Sequence, residues 1–508
     1  VSTHIDFERL FSISDKVNIT LKAGGKYRAK SRSNDIELLR SPYYLIAPSK
    51  YQRLDDGSIV PSDFSGTSFE DLIMVGGANI SMSNFLADNP PSRGLYDGKY
   101  DLNPLIDKNL VREWYETHKN GISADGTLEE YSPYSSVIPQ LYSLTERISS
   151  AYVMATINLG EMIRVIGGVR IEKEDNDYTA KYAPDLGNWF GFDPNKVGDT
   201  LATYTSTFIL PNVHLRFKPV KWWDLRLAAT KTLARPDFSM RLPTLVVNRV
   251  SGGAIQRGRP DLKTTDAWNY DVIASFYANK YGLFTIGGFF KRLDNIFYQL
   301  NNVRIINSDM QATLNLPKGQ GSYVGLLLNE PINTSGTEVY GAEIDLQANL
   351  KFLPLFLGNL VLRGNFTMIK SETKIPRFTV EEDNSTFPPI QTPVWYETTE
   401  RLEGQPSSFG NLAIGYDKGG FSGRLSVFFQ GDYLTSVSST GLQDRYERGY
   451  SKWDIALKQE LAKGKMEVML NVTNLTNIID GSYWKFKSLD QVSSIYGTLV
   501  DIGLRIKL

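Results

Sequence analysis

The clearest feature of the chain is an alternation of apolar and polar residues with a period of two. In YGAEIDLQANLK, Tyr340, Ala342, Ile344, Leu346, Ala348 and Leu350 fall on one side of an extended chain, and Glu343, Asp345, Gln347, Asn349 and Lys351 on the other. Successive side chains of a strand point to opposite faces, so this segment has one apolar face and one wet face. A helix would spread the same charges around its circumference. The pattern recurs with Phe421, Leu425, Val427 and Phe429 against Ser422, Arg424, Ser426 and Gln430, and with Trp453, Ile455, Leu457 and Leu461 against Lys452, Asp454, Lys458 and Glu460. Near the start, Val17, Ile19, Leu21 and Tyr27 oppose Asn18, Thr20, Lys22, Lys26 and Arg28; near the end, Val500, Ile502, Leu504 and Ile506 oppose Asp501 and Arg505.

A soluble antiparallel sandwich alternates in the same way, so length and connection pattern decide between the two. These segments run to roughly ten residues or more, whereas soluble strands average about five or six and a tilted membrane crossing needs about nine to eleven. Short joints fall near Ser14–Asp15, Gly160, Lys218–Lys221, Lys280–Gly282, Phe352–Leu355, Lys418–Gly420 and Lys463–Lys465. Between them lie long joints at 33–140, 179–200, 236–262, 299–335, 373–403, 437–446 and 480–494. Tight turns at one end and long loops at the other are the layout of bacterial outer-membrane barrels. The expected fold class is therefore all-β: residues 1–508 form a transmembrane antiparallel β-barrel portion with long extracellular loops. About fifteen strands are counted. Single-chain bacterial barrels have an even number, so the first strands are expected to lie outside this chain.

Composition narrows the picture further. Hydrophobic residues make up 41% and the mean hydropathy is −0.26, and no stretch of about 18 apolar residues offers a membrane helix. A barrel is not excluded by this, because only alternate strand residues meet lipid. Aromatics reach 12%, with 27 Tyr and 25 Phe, enough for interfacial girdles. No cysteine is present, which removes disulfides and thiolate metal sites. A net charge of −1 gives no bulk attraction to nucleic acid. Val1 opens no signal-peptide pattern, so the chain is expected to start inside a longer precursor.

Several segments resemble TonB-dependent outer-membrane receptors of the Bacteroidetes type. TKTLARPDFSMRLPT, with Arg235-Pro236, resembles a strand-end motif of that family. GRPDLKTTDAWNYDVIASFY resembles its Gly-Asn-Pro-x-Leu segment, with Arg259 in place of the usual Asn. FFKRLDNIFY, GTEVYGAEIDL and NVTNLTN resemble further barrel segments in the family's order. The resemblance is spread over most of 140–508 and identifies the chain as a C-terminal barrel portion. It implies a closed barrel of about 22 strands, an N-terminal plug in the lumen, and energy supplied by the TonB complex. Neither plug nor TonB-contacting segment is recognised here. The implied function is TonB-dependent import of a scarce or bulky ligand (iron chelate, glycan, peptide or similar) across the bacterial outer membrane. A passive porin or surface-binding barrel is the alternative.

Within that frame the wet face is expected to turn toward the lumen or plug, through Lys22, Arg28, Glu343, Asp345, Arg424, Asp454 and Lys458. Trp222, Trp223, Tyr281 and Trp453 sit near strand ends and are girdle candidates. The hundred-odd residues of 33–140 far exceed an ordinary connection, and Trp114, Tyr115, Tyr43 and Tyr44 within them are candidate ligand contacts; the alternative is a self-packed cap. Asp55, Asp56 and Asp63 loosely resemble a calcium loop but fail its spacing, so no metal or cofactor is assigned. With three histidines, His4, His118 and His214, and no HExxH, GxSxG or P-loop, the chain is not expected to be an enzyme. Expected partners are outer-membrane lipid, the plug and TonB; a surface lipoprotein is kept as a candidate, and nucleic acid is excluded.

Overall fold

A computed structural model describes residues 1–41, 49–71, 82–88, 94–95, 97–102, 104–184, 196–249, 253–278, 281–317, 322–334, 336–486 and 490–506. Strand accounts for 63% and helix for 9%. The chain divides into two compact units, one of Val1–Ser33, Tyr142–Pro184 and Gly198–Leu508, the other of Asn34–Leu141 and Asp185–Val197.

The first unit is built on a ladder of long strands: β1 (Ser2–Ser14), β2 (Val17–Asn34), β3 (Tyr142–Leu159), β4 (Ile163–Ala183), β5 (Gly198–Val220), β6 (Trp223–Ala234), β7 (Thr265–Ala278), β8 (Gly282–Asp294), β9 (Thr337–Asn349), β10 (Leu360–Asp383), β11 (Ser408–Lys418), β12 (Phe421–Gln430), β13 (Tyr450–Leu461), β14 (Met466–Thr473) and β15 (Leu499–Ile506). Each hydrogen-bonds to the next, antiparallel wherever a register is given. Among the described residues no pairing joins β1 to β15. β10, β5 and β4 reach 24, 23 and 21 residues, several times the about five or six of an ordinary strand.

Register carries the alternation from strand to strand, because residues directly opposite one another share a face. Ile286 lies opposite Ile344, which lies opposite Phe366. Leu412 faces Val427, Val427 faces Trp453, and Val472 joins Ile455 to Val500. One face of the ladder is thus predominantly apolar, with charged exceptions such as Arg9 and Lys370, and large side chains such as Ile171, Val213, Ile344, Leu412 and Ile502 stand exposed on it. A water-soluble sheet would cover such a surface with a second layer. Here the apolar core of the first unit lies in the long connections instead.

Those connections are more ordered than the sequence suggests. The span 236–262, read as a loop, holds strands Leu245–Asn248 and Ala254–Arg257; the first extends β4 in parallel through Tyr182 and Ala183. The span 299–335 holds Phe297–Arg304, the helix Ser308–Thr313 and Leu327–Asn333, which pairs in parallel with Ala254–Gln256. β10 runs on to Asp383 and pairs with Ile390–Glu400. Val247, Ile255, Val303, Ile305, Met310 and Leu328 are fully buried together against Phe378. The short strands of this core give no sustained alternation; in Phe297–Arg304 buried and exposed residues alternate only until a register shift between Leu300 and Val303 breaks the phase.

The short turns join β1 to β2, β3 to β4, β5 to β6, β7 to β8, β11 to β12 and β13 to β14, and a 3-10 helix, Leu355–Asn359, leads from β9 into β10. The turn after β3 requires Gly160, whose φ of +61° is open to glycine without strain. Lys280 of the β7–β8 turn lies outside the described residues.

The second unit has its own core. Helix α1 (Lys108–His118) starts at Asp107, whose carboxylate accepts from the Asn109 N–H at 2.7 Å. Short strands at Tyr51–Arg53, Ile59–Pro61 and Gly121–Ile122 form a small antiparallel sheet. Residues 33–140, expected as one loop, thus contain an inserted folded unit.

Candidate functional site: a polar face and the connections at its end

The seven charged residues singled out from the sequence all project from the polar face of the ladder. Lys22 stands opposite Glu8, with their charged groups 3.7 Å apart, and Arg28 lies on the same side of β2. Glu343 and Asp345 stand opposite Thr367 and Asn365. Arg424 makes a bidentate pair with Asp417 at 2.9 and 2.7 Å. Lys458 pairs with Glu460 at 3.0 Å. Asp454 accepts from the Asn474 N–H at 2.8 Å and so fixes the chain leaving β14. Most of this face is self-paired, and Asp454 has a structural task.

Toward the long-connection end the polar face is covered by the chain leaving β6. Arg235 reaches back to Glu172 and Glu174 on β4. Arg241 is 2% exposed. Its guanidinium donates to Glu174 at 2.8 Å, to Thr264 Oγ1 at 2.8 Å and to the Leu262 carbonyl at 2.9 Å, and lies 3.7 Å over the Tyr204 ring. Arg170 holds the second Glu172 oxygen at 2.8 Å. The planar fork of arginine suits such convergent acceptors. Arg235-Pro236, noted in the sequence as a motif, thus begins a strap fastened to the polar face. Further along, Arg257 donates to Glu330 at 2.6 Å, and Arg259 pairs with Asp261. Sequence reasoning missed the partners of Arg235, Arg241 and Arg257, which lie tens of residues away and carry no local signal.

The aromatic candidates separate. Trp114 stacks on His118 at 3.7 Å and stands edge-on to Phe69 at 5.0 Å and Phe85 at 5.8 Å, so its ring is used in the core of the second unit. Tyr115 points outward, edge-on to Tyr131. Tyr43 and Tyr44 lie outside the described residues. Of the girdle candidates, Trp222 and Tyr281 are exposed at the short turns beside Phe276 and Phe352. Trp453 is exposed near the other end of β13, while Trp223 is half-buried, edge-on to Phe217. Among the described residues no group of His, Asp and Glu is arranged to hold a metal ion.

Two buried titratable groups of the second unit oppose each other. Burial pushes the Glu130 carboxyl up to about 7, against the Ser49 N–H that holds it at 2.6 Å. Burial lowers His118 to about 4, although its Nδ1–H donates to the Trp114 carbonyl. A raised carboxyl stabilises the fold below about 4.5 and loses that contribution as pH rises toward 7; a depressed histidine stabilises it above about 6.5 and loses it as pH falls toward 4. The two slopes are expected to cancel between these limits. In His118→Phe, amide protection of Gly121 and Ile122 should fall with rising pH, by up to about tenfold per unit; in Glu130→Gln it should fall with falling pH. Hydrogen exchange corrected for intrinsic rates reads both, and parallel slopes in the two variants would refute the assignment.

Comparison with known proteins places this architecture. The family model described as TonB dependent receptor-like, beta-barrel, matches residues 3–475. Among solved structures, the ferric-catecholate import receptor Fiu of E. coli aligns with a TM-score of 0.52 at 13% identity, covering 99% of this chain and 54% of Fiu. The hemophore receptor HasR of Serratia marcescens gives 0.51 at 10%, covering 94% and 56%. The siderophore receptor PiuA of Acinetobacter baumannii gives 0.50 at 10%, covering 99% and 55%. At these identities the likeness is one of fold, and the chain spans about half the length of the structures it matches. None of the curated proteins matches the sequence. The family model nevertheless covers nearly the whole chain, and the chain belongs to the TonB-dependent receptor-like β-barrel family.

Proposed function

We propose that this chain supplies membrane-crossing strands and external loops of an outer-membrane receptor that imports a scarce or bulky ligand with energy from TonB. The family match over residues 3–475 carries the reading; the family's members are transporters rather than enzymes. Two physical observations support it. The apolar face is bounded by aromatics at both ends: Tyr270, Tyr340 and Trp453 toward the long connections, Trp222 and Tyr281 at the short turns. Rings of this kind suit the headgroup layer. In hydrocarbon every backbone polar group must be paired within the protein, and the long ladder does this for its inner strands.

In this reading the polar face lines the passage, and Lys22, Arg28, Glu343, Asp345, Arg424, Asp454 and Lys458 meet the plug or the cargo. The receptors of like fold bind, by their descriptions, a hemophore with heme, a siderophore and a ferric catecholate, which makes an iron chelate the first ligand class to test. Tyr115, with Trp114, Tyr43 and Tyr44, belongs to the inserted unit proposed to contact ligand outside the membrane.

The test uses cells making the complete receptor and a panel of labelled iron chelates, glycans and peptides. Accumulation of one ligand should require the receptor, TonB and the proton-motive force together. Uptake that continues at the same rate without TonB would make the protein a passive pore.

A further inference from the structure

On the polar face of the ladder, near its short-turn end, the register lines up three arginines. Arg164 of β4 stands directly opposite Arg216 of β5, and Arg216 directly opposite Arg226 of β6. Asn158 of β3 and Ile273 of β7 close the row at its two ends. Neighbouring strands lie about 4.8 Å apart, so the row carries three guanidiniums across roughly 10 Å. Like charges directly opposite one another on a sheet repel, and the protein compensates these poorly. Asp224, fully buried, takes Arg216 at 2.9 Å and Arg226 at 3.3 Å through the same oxygen. Arg164 donates to the Asn158 amide oxygen at 2.7 Å and makes no ion pair among the described residues. Lys218, two positions beyond Arg216 on the same face, is 5.9 Å from the Tyr277 ring and likewise makes no ion pair among the described residues.

The row forms one side of a cavity of about 690 Å³, lined also by Met154, Ile166, His214 and Ile273 of the same face. Asp271, one row further on and opposite Ala228, is the single carboxylate of that lining. Arg164 is exposed, and Arg216 and Arg226 keep more than a third of their side chains open. An anion is the missing complement, and the spacing selects among anions. One small oxyanion reaches at most two of three guanidiniums set about 5 Å apart, whereas carboxylates spaced over a polypeptide surface reach all three. Met154, Ile166 and Ile273, half-buried beside the arginines, add apolar area to the cavity. Arginine and methionine beside apolar groups are the composition of a protein–protein contact; a hydrated small ion gains nothing from them.

We propose that the row Arg164–Arg216–Arg226 is a docking surface for an acidic patch of the plug, with two or more carboxylates spaced to meet the guanidiniums. The inference rests on the reading under Proposed function that the polar face lines a passage. It adds to that reading where the wall grips what fills the passage, and with which sign of charge. The charged residues described above are mostly paired within the wall. This row is not, so docking supplies counter-charges that the sheet itself lacks. Planar guanidiniums suit the task because each can hold a carboxylate through two parallel hydrogen bonds.

The test uses the complete receptor, with insertion checked first by flotation with phosphatidylcholine vesicles. Arg164→Lys and Arg226→Lys, made separately, each put an amine in the row. A water-soluble carbodiimide then joins the amine to a carboxylate in contact with it. The amide forms between the lysine nitrogen and the carboxyl carbon, and the displaced oxygen and protons leave on the carbodiimide as its urea. Isotope-labelled glutarate is present in excess. Peptide mass spectrometry should find both variants joined to Asp or Glu of the plug. Coupling confined to Asp224 or Asp271 of the wall, or no coupling, would overturn the proposal. Glutarate coupled in place of a plug carboxylate would overturn it too, by making the row a site for free anions. A second arm uses Arg164→Glu, which sets a carboxylate opposite Arg216, relieves the repulsion within the wall and so spares the fold, but opposes an acidic patch. Ion leak through the receptor in planar bilayers should rise about tenfold or more, since like charges brought together across an interface cost several kcal/mol. Arg164→Lys, which keeps the charge, should raise it far less; an unchanged leak in Arg164→Glu counts against docking. Neither arm measures uptake, so import can fail while the docking surface stands. Failure to float removes the membrane reading and the docking surface together.

Discussion

Arg377→Met is expected to destabilise the connections around β10 by about 3–5 kcal/mol. Arg377 and Asp444 are both fully buried. The guanidinium donates to the two Asp444 oxygens at 2.8 and 2.7 Å, to Thr398 Oγ1 at 2.9 Å and to the Ser438 carbonyl at 2.5 Å. Asp444 also receives the Ser438 N–H at 2.9 Å. Three segments from two connections therefore meet at one ion pair: the far end of β10 and its hairpin partner Ile390–Glu400, and the span 437–446. Ile375, Leu434 and Tyr446 pack beside it. Methionine fills much of the same space but leaves the buried Asp444 carboxylate held by Ser438 with its counter-charge gone. That uncompensated charge, more than the lost hydrogen bonds, sets the size of the effect.

The same reasoning predicts a rescue. Arg377→Met combined with Asp444→Leu removes both charges and should recover most of the loss, because replacing a buried ion pair by packed apolar groups is often neutral. Chemical denaturation of the refolded chain measures the singles and the double as a cycle. A double variant as unstable as Arg377→Met alone would mean that the hydrogen bonds to Thr398 and Ser438, and not the pairing of charges, hold these connections together.

This pair also marks the limit of what the sequence discloses. Ile344 and Glu343 announce their faces because their strand has unlike surroundings on its two sides, and a period of two follows from the pleat alone. Gly160 and the neighbouring Lys-rich joints are legible for a similar reason, since tight turns demand particular residues locally. Arg377 and Asp444 are 67 residues apart, and nothing near either indicates the other. Val247 and Ile255 belong to strands of only four residues and Val303 follows a register shift, so no sustained alternation marks them and they fall in spans expected as loops. Trp114 was singled out for its chemistry as an aromatic in a long connection, yet α1 turns it toward Phe69 and Phe85. Sequence reasoning located the candidate residues of the polar face; the strap that Arg235 and Arg241 fasten over it required the fold.

Leu457→Arg is expected to cost roughly 2–4 kcal/mol when the protein is folded into lipid vesicles. Leu457 lies about midway along β13, between Trp453 and the turn after Leu461, and stands opposite Gly423 on one side and Leu470 on the other. Its face of the ladder is the apolar one, so in the membrane reading a guanidinium there meets hydrocarbon near the bilayer centre, where the penalty is largest. Ser426→Arg provides the same substitution on the other face of the adjacent strand. Ser426 stands opposite Asp454, so the new cation enters a wet surround beside a carboxylate and should cost well under 1 kcal/mol. Urea titrations of the two variants in vesicles give the difference directly. If this exposed face met water instead of lipid the order would not hold, since a solvated position tolerates arginine easily. Equal penalties for Leu457→Arg and Ser426→Arg would therefore reject the assignment of lipid to the apolar face, and with it the physical basis for placing this chain across a membrane.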